Sequence, residues 1–136
     1  MMILNKKVLI MCTGNSCRSI IGEALINKEL EGVEAQSCGV APSGRVNPNA
    51  QKVLELHDAW DECYYSKHLD EVIHEDFHLV VTVCDHAKET CPVFPKPVKK
   101  IHVGFEDPDG KDFSAFEETY ALIKDALLKE VKKHLS

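Results

Sequence analysis

The chain reads as an α/β fold: a single domain over residues 1–136, with a four-stranded parallel sheet flanked by helices on both faces. Three observations predict it. Apolar, β-forming runs alternate with segments of helical spacing along the whole length, as repeated strand–helix units require. The run Phe77-His-Leu-Val-Val-Thr-Val83 is almost continuously apolar or β-branched, which suits a strand covered on both sides. Two cysteines, Cys12 and Cys84, stand just past the ends of strand-like runs. In an open parallel sheet, those carboxyl ends are where ligands bind.

Taken in order, Lys7–Cys12 is the first strand and Arg18–Leu30 the first helix. Ile21, Ala24, Leu25 and Ile26 form that helix's apolar face, and Gly32 stops it. Val33–Cys38 is a short second strand ending at Gly39, and the residues from Ala41 to Arg45 make a loop. Asn47-Pro48 is a cap followed by a first-turn proline, opening a helix to about His57 on Ala50, Val53, Leu54 and Leu56. Leu69–His74 reads as a short helix with Asp70 and Glu71 in its first turn. After the Phe77–Val83 strand comes a loop rich in charge and proline, then Val98–Val103 as the fourth strand. Glu106–Gly110 is a turn. The last helix spans about Ser114–Lys133, with Ser114 and Glu117 spaced as a capping box and Phe116, Tyr120, Ile123, Leu127 and Val131 on one face.

At 136 residues the chain can bury a core without disulfide or metal staples. A net charge of −6 with no basic stripe argues against a nucleic-acid partner, so a small anion must be captured by local dipoles. No run approaches membrane-spanning length, and Met1 to Lys7 leads into a strand rather than a signal peptide. A cytoplasmic monomer is expected. Six cysteines there are reactive, metal-binding or buried rather than permanently crosslinked. No repeat, low-complexity run or linker interrupts the chain.

The stretch Val8-Leu-Ile-Met-Cys12-Thr-Gly-Asn-Ser-Cys-Arg18-Ser19 organises the rest. Backbone N–H groups from Thr13 through Arg18, by way of Gly14, Asn15, Ser16 and Cys17, can curl around a tetrahedral oxyanion. Gly14 supplies a backbone conformation that a Cβ resists, and Asn15 tolerates a left-handed one. Arg18 offers a planar fork to two anion oxygens. That environment, with the positive end of the helix, should bring the Cys12 thiol well below its usual range, and Ser19 can donate to the thiolate. A buried strand-end cysteine with no chemistry is the bland alternative.

Cys12–Ser19 resembles the active-site loop shared by low-molecular-weight protein tyrosine phosphatases and thioredoxin-coupled arsenate reductases. The segment Cys84-Asp-His-Ala-Lys-Glu-Thr-Cys91-Pro92 separates the two. A seven-residue spacing closes into a small disulfide ring if the intervening residues form a helical turn that can unwind. Lys88 would lend Cys91 positive field. Zinc held by Cys84, His86 and Cys91 is a poorer reading, since the spacing is unlike a structural site and a fourth ligand is missing. Incidental packing of both cysteines is another alternative. "VTVCDHAKETCPVFP" and "VKKIHVGFEDPDGK" look like the reductases' redox segment and acid loop, and Ser66-Lys67 and Val46-Asn47-Pro48 match as well. Cys38, between Ser37 and Gly39, departs from the small residue expected there.

Asp107 is the candidate general acid, although Glu106–Gly110 also suits an ordinary type I turn, and Asp109 is the fallback. The resemblance favours Asp107, because both families place the acid at the Asp of an Asp-Pro pair. It implies a low-molecular-weight phosphatase-like fold and no metal or organic cofactor. It also implies arsenate as substrate, a Cys12–Cys84–Cys91 disulfide relay, and thioredoxin as reductant. A tyrosine phosphatase using Cys12, Arg18 and Asp107 is the alternative, and a non-catalytic anion or metalloid sensor a third. Cys17 packs beneath the loop or pairs with Cys12 under oxidation, while Cys38 and Cys63 are structural. Asn15 holds the loop's shape by side-chain bonds. Most of the seven histidines are solvated.

Overall fold

The structure is a computed structural model that describes residues 6–91 and 93–135. The expectations about the segment before Lys6 and about Pro92 lie outside the described residues. The elements run β1 (Lys6–Cys12), α1 (Arg18–Glu29), β2 (Val33–Gly39), α2 (Pro48–Leu56), a 3-10 turn (Leu69–Glu71), β3 (Leu79–Thr82), α3 (Asp85–Thr90), β4 (Lys99–His102) and α4 (Phe113–Leu135). The strands form one parallel sheet in the order β2-β1-β3-β4, as the alternation of strand and helix predicts. Among the described residues no helix is long and apolar enough to cross a membrane.

The centre of the sheet is dry. Val8 through Met11 and Leu79 through Val81 are fully buried. Helices α1, α2 and α4 pack together, and Ile10 and Leu127 come so close to Gly22 that a Cβ there would stand 2.9 Å from Leu127. The expected α4 face of Phe116, Tyr120, Ile123, Leu127 and Val131 is buried throughout. On α2, Ala50, Val53 and Leu54 are buried, but Leu56 is 64% exposed because the helix ends there.

Four expectations about elements need correcting. Helix α4 starts at Phe113 and is capped by Asp112, whose carboxylate accepts from the Ala115 N–H at 3.3 Å, so Ser114 and Glu117 do not form its capping box. The Leu69–His74 helix shrinks to the 3-10 turn Leu69–Glu71. The run from Phe77 to Val83 pairs only over Leu79–Thr82, the length its neighbours can match. The stretch read as a charged loop after Cys84 begins with a six-residue helix, α3, which supplies the helical turn between Cys84 and Cys91.

Candidate active site

The loop between β1 and α1 is turned inside out relative to an ordinary turn. Its carbonyls point away and are taken up by neighbouring segments. Val40 N–H donates to Cys12 O, Ala41 to Thr13 O, Ser43 to Gly14 O and Asn47 to Ser16 O, at 2.9–3.2 Å. Ser66 Oγ adds a second bond to Gly14 O at 3.1 Å. Among the described residues no protein oxygen accepts from the N–H groups of Gly14 through Arg18. They remain free for an anion, as a backbone nest requires.

Asn15 makes the reversal possible. Its φ is +48°, and it is fully buried. Its amide nitrogen donates to Ser19 Oγ (2.7 Å) and Ser37 Oγ (2.9 Å), while its oxygen accepts from Lys67 N–H (2.9 Å). Ser37 Oγ in turn donates to the buried Glu23 carboxyl at 2.6 Å. Burial pushes Glu23 up to about 7, against the pull of Lys67 and the Ser37 bond. The left-handed residue is therefore Asn15 and not Gly14, where an added Cβ would meet only Ser16 Oγ at 3.7 Å. The close approach falls instead on Gly39, where a Cβ would stand 2.5 Å from Thr13 O. Ser19 is engaged by Asn15, and among the described residues no hydrogen bond joins it to Cys12.

Arg18 opens α1 and reaches across to the acid loop. One terminal nitrogen donates to Phe105 O at 3.1 Å, and the other lies 3.4 Å from the Asp107 carboxylate. Its Nε is buried with no partner. An orphaned guanidinium N–H is costly unless a ligand satisfies it. Arg18, Cys84, Gly104, Phe105 and Asp107 line one small polar cavity. A larger groove beside His57 and Tyr120 on α4 shares no residue with the loop. Asp107 is half exposed and accepts from Asp109 N–H at 3.0 Å. Asp109 faces away, binding Asn47 Nδ2 at 2.8 Å.

Cys12 and Cys84 are both buried thiols at neighbouring strand ends. The Cys84 sulfur and burial both push the Cys12 thiol up, while the Cys12 thiol pulls Cys84 down. Thr13 Oγ1, 3.2 Å from Cys84 Sγ, the Ala87 N–H and Arg18 all favour charge on Cys84. Charge on the pair is therefore favoured on Cys84, against the thiolate expected on Cys12, where Cys84 and burial both oppose it.

Cys91 follows α3 and is partly buried, its sulfur 4.0 Å from Met11 Sδ. Burial raises its thiol, and the cation that opposes this is Lys100, not Lys88. Cys17 is buried beneath the loop as the N-cap of α1, with Ser16 Oγ 3.6 Å from its sulfur, and burial lifts it to about 11. Cys63 is exposed and not structural. No disulfide among the described residues joins any of the six cysteines. Among the described residues no cluster of His, Cys, Asp and Glu suits a metal. Of the histidines, His102 is tied in, with Nδ1 2.8 Å from Thr82 Oγ1 and Nε2 3.2 Å from Asp85, and His57 stacks on Tyr120.

The family model described as "Low molecular weight phosphotyrosine protein phosphatase" matches residues 7–136. The chain belongs to that family. Within the phosphotyrosine phosphatase family it is similar to arsenate reductase 1 of Bacillus cereus, 39% identical over 96% of this chain and 95% of the relative. It is also similar to an arsenate reductase of Staphylococcus aureus, 40% identical over 91% of this chain and 95% of that protein. Among solved structures, an arsenate reductase from Archaeoglobus fulgidus superposes with a TM-score of 0.79 at 31% identity, covering 92% of this chain and 98% of the other. A low molecular weight protein tyrosine phosphatase from T. tengcongensis has a TM-score of 0.81 at 24% identity, covering 95% and 99%, which shows the shared fold.

Sequence reasoning missed several groups that contact this loop or its partners: Glu23, Ser37, Gly39 and the Phe105 carbonyl. Gly39 had a signal. It sits at the end of β2 in register with Cys12, where only a residue without a Cβ clears the loop. The others become partners only through the tertiary fold.

Proposed function

We propose that the chain reduces arsenate to arsenite, with both electrons supplied by a Cys12–Cys84–Cys91 disulfide relay that thioredoxin resets. The observation that carries the reading is the thiol placement. Cys84 and Cys12 are buried at the ends of the neighbouring strands β3 and β1, and Cys91 lies at the far end of the short helix that Cys84 begins. Phosphate ester hydrolysis needs neither. The relatives named arsenate reductase support the same chemistry, and one arsenate reductase that resembles this fold, at 27% identity, was solved in a phosphate binding state.

Arsenate enters the nest of Thr13–Arg18, where the free N–H groups and the unpartnered Arg18 Nε meet its oxygens. As Cys12 attacks arsenic, its proton passes to the Cys84 thiolate. Asp107 protonates the departing hydroxyl, which leaves as water. With Cys12 now bonded to arsenic, Cys84 loses its proton and attacks the Cys12 sulfur. The sulfur–arsenic bond breaks, arsenic keeps the electron pair, and arsenite departs from a Cys12–Cys84 disulfide. Cys91 attacks Cys84 as α3 unwinds, releasing Cys12 and leaving Cys84–Cys91. The thioredoxin dithiol then takes over that disulfide. No metal or organic cofactor enters, and the reading takes the enzyme to be a cytoplasmic monomer that removes an arsenical toxin.

The test is to count thiols against arsenite with no external reductant. Wild type should lose two thiols per arsenite formed, and Cys84→Ser should form none. Arsenite production by Cys84→Ser at the wild-type rate, or with no loss of thiols, overturns the reading.

A further inference from the structure

The relay leaves Cys38 unused, yet its surroundings are not those of an ordinary core cysteine. Cys38 on β2 is the register partner of Met11 on β1. Register partners in a parallel pair leave the same face of the sheet, on strands about 4.8 Å apart. Cys91 rests on that same Met11, sulfur to sulfur at 4.0 Å. Three sulfurs from β1, β2 and the segment after α3 therefore converge on one side of the sheet. Cys12, the residue after Met11, points to the other side. Cys38 is fully buried, whereas Cys91 is partly open, so a reagent from solvent meets Cys91 first.

We propose that Cys38 is a second partner for Cys91: a hydroperoxide joins them as a Cys38–Cys91 disulfide that pins the end of α3 to the sheet and withdraws Cys91 from the relay. The disulfide rests on geometry alone, and only its effect on turnover rests on the proposed function. The Cys91 thiolate attacks the peroxide, the O–O bond breaks, and Cys91 becomes a sulfenic acid as an alcohol or water leaves. Cys38 sulfur then attacks the sulfenic sulfur and expels water. Two thiols supply two electrons, and one peroxide is reduced. Cys38 and Cys91 lie within each other's electrostatic reach, consistent with this pairing. Burial holds Cys38 up near about 12 and raises Cys91, so closure is slow and needs sustained oxidant. A bond formed this way stops Cys91 short of irreversible oxidation and is undone by a dithiol.

The test uses the full chain carrying Cys12→Ser and Cys84→Ser, which leaves Cys17, Cys38, Cys63 and Cys91. After hydrogen peroxide, non-reducing peptide mapping should find one disulfide, Cys38–Cys91, with Cys17 and Cys63 still alkylatable. Cys91 carried on to its sulfinic acid while Cys38 stays alkylatable, or Cys91 joined to Cys17 or Cys63, overturns the proposal. No folding of a Cys38 variant is needed for that result. In the otherwise native chain, Cys38→Ala should leave untreated turnover unchanged. After peroxide it should lose activity that dithiothreitol cannot restore, where wild type recovers several-fold more. Equal recovery by the two chains overturns the protective role. Because the map needs no arsenate, its outcome is separable from that of the arsenate–thiol titration.

Discussion

Arg18 has three donors to place: one terminal nitrogen meets the Phe105 carbonyl, the other the Asp107 carboxylate, and Nε is buried with no partner among the described residues. A lysine has one point of charge and cannot serve all three. Arg18→Lys should therefore lose at least about tenfold in kcat/KM for arsenate, the cost of roughly one charge-assisted hydrogen bond. Near-native kinetics would count against this geometry. Thr13 tests the second thiol. Its hydroxyl helps hold Cys84 low, so Thr13→Val should move Cys84 alkylation by iodoacetamide to higher pH. An unmoved profile would remove Thr13 from the account. These side chains were legible as a loop in the sequence, since strand, cysteine, small residues and arginine follow one another. How the two sulfurs share charge was not, because it depends on contacts between strand ends remote in sequence, a property of the packed molecule.

At the scale of elements, α3 is the helix that the proposed relay needs to unwind. It is six residues long, only Ala87 among them is buried, and Cys84 precedes it with no side-chain cap. Short helices of this kind have little intrinsic stability. Cys91→Ser should give one arsenite per enzyme and stop at a Cys12–Cys84 disulfide, seen by mass spectrometry; steady turnover with thioredoxin would break the relay. Helix α2 shows the opposite character. Asn47 caps it by accepting from Asn49 N–H at 2.8 Å, donates its backbone N–H to Ser16 O, and binds Asp109 with its amide. Asn47→Ala should cost about 1 kcal/mol in denaturant unfolding from the cap alone. The cap was readable from Asn-Pro; the bridge to both loops was not, since Ser16 and Asp109 are remote in sequence. The same limit explains α4, where Ser114 looked like a cap by spacing although Asp112 lay nearer the true start.

For the whole molecule, the sheet order and the apolar faces follow from periodicity, and the buried rows on β1, β3 and α4 are those the pattern assigns. Polar groups beneath the loop escape such patterning. Glu23 is the clearest case: a carboxyl in the middle of a helix, 5% exposed and held up to about 7 against an ordinary 4.5. Between those values the folded chain keeps a proton that the unfolded chain has released. Its contribution to stability is thus present below about 4.5, is lost as pH rises to about 7, and stays lost above. The loss amounts to about 3 kcal/mol. Glu23→Gln should flatten that part of the stability curve measured by urea unfolding between these pH values; an unchanged slope would assign the titration elsewhere.

Met11 and Cys12 are consecutive, so the pleat sends one toward the resting place of Cys91 and the other toward the anion loop. The sheet is thereby a wall with a chemical window at its upper edge. In the proposed cycle, oxidant and reductant need never occupy the same space: the oxyanion would be received on one side, while the regenerating protein would meet its disulfide beyond the other. Raising arsenate tenfold should accordingly leave kcat/KM for thioredoxin untouched in initial-rate kinetics, whereas a single shared cleft would show arsenate competing with thioredoxin.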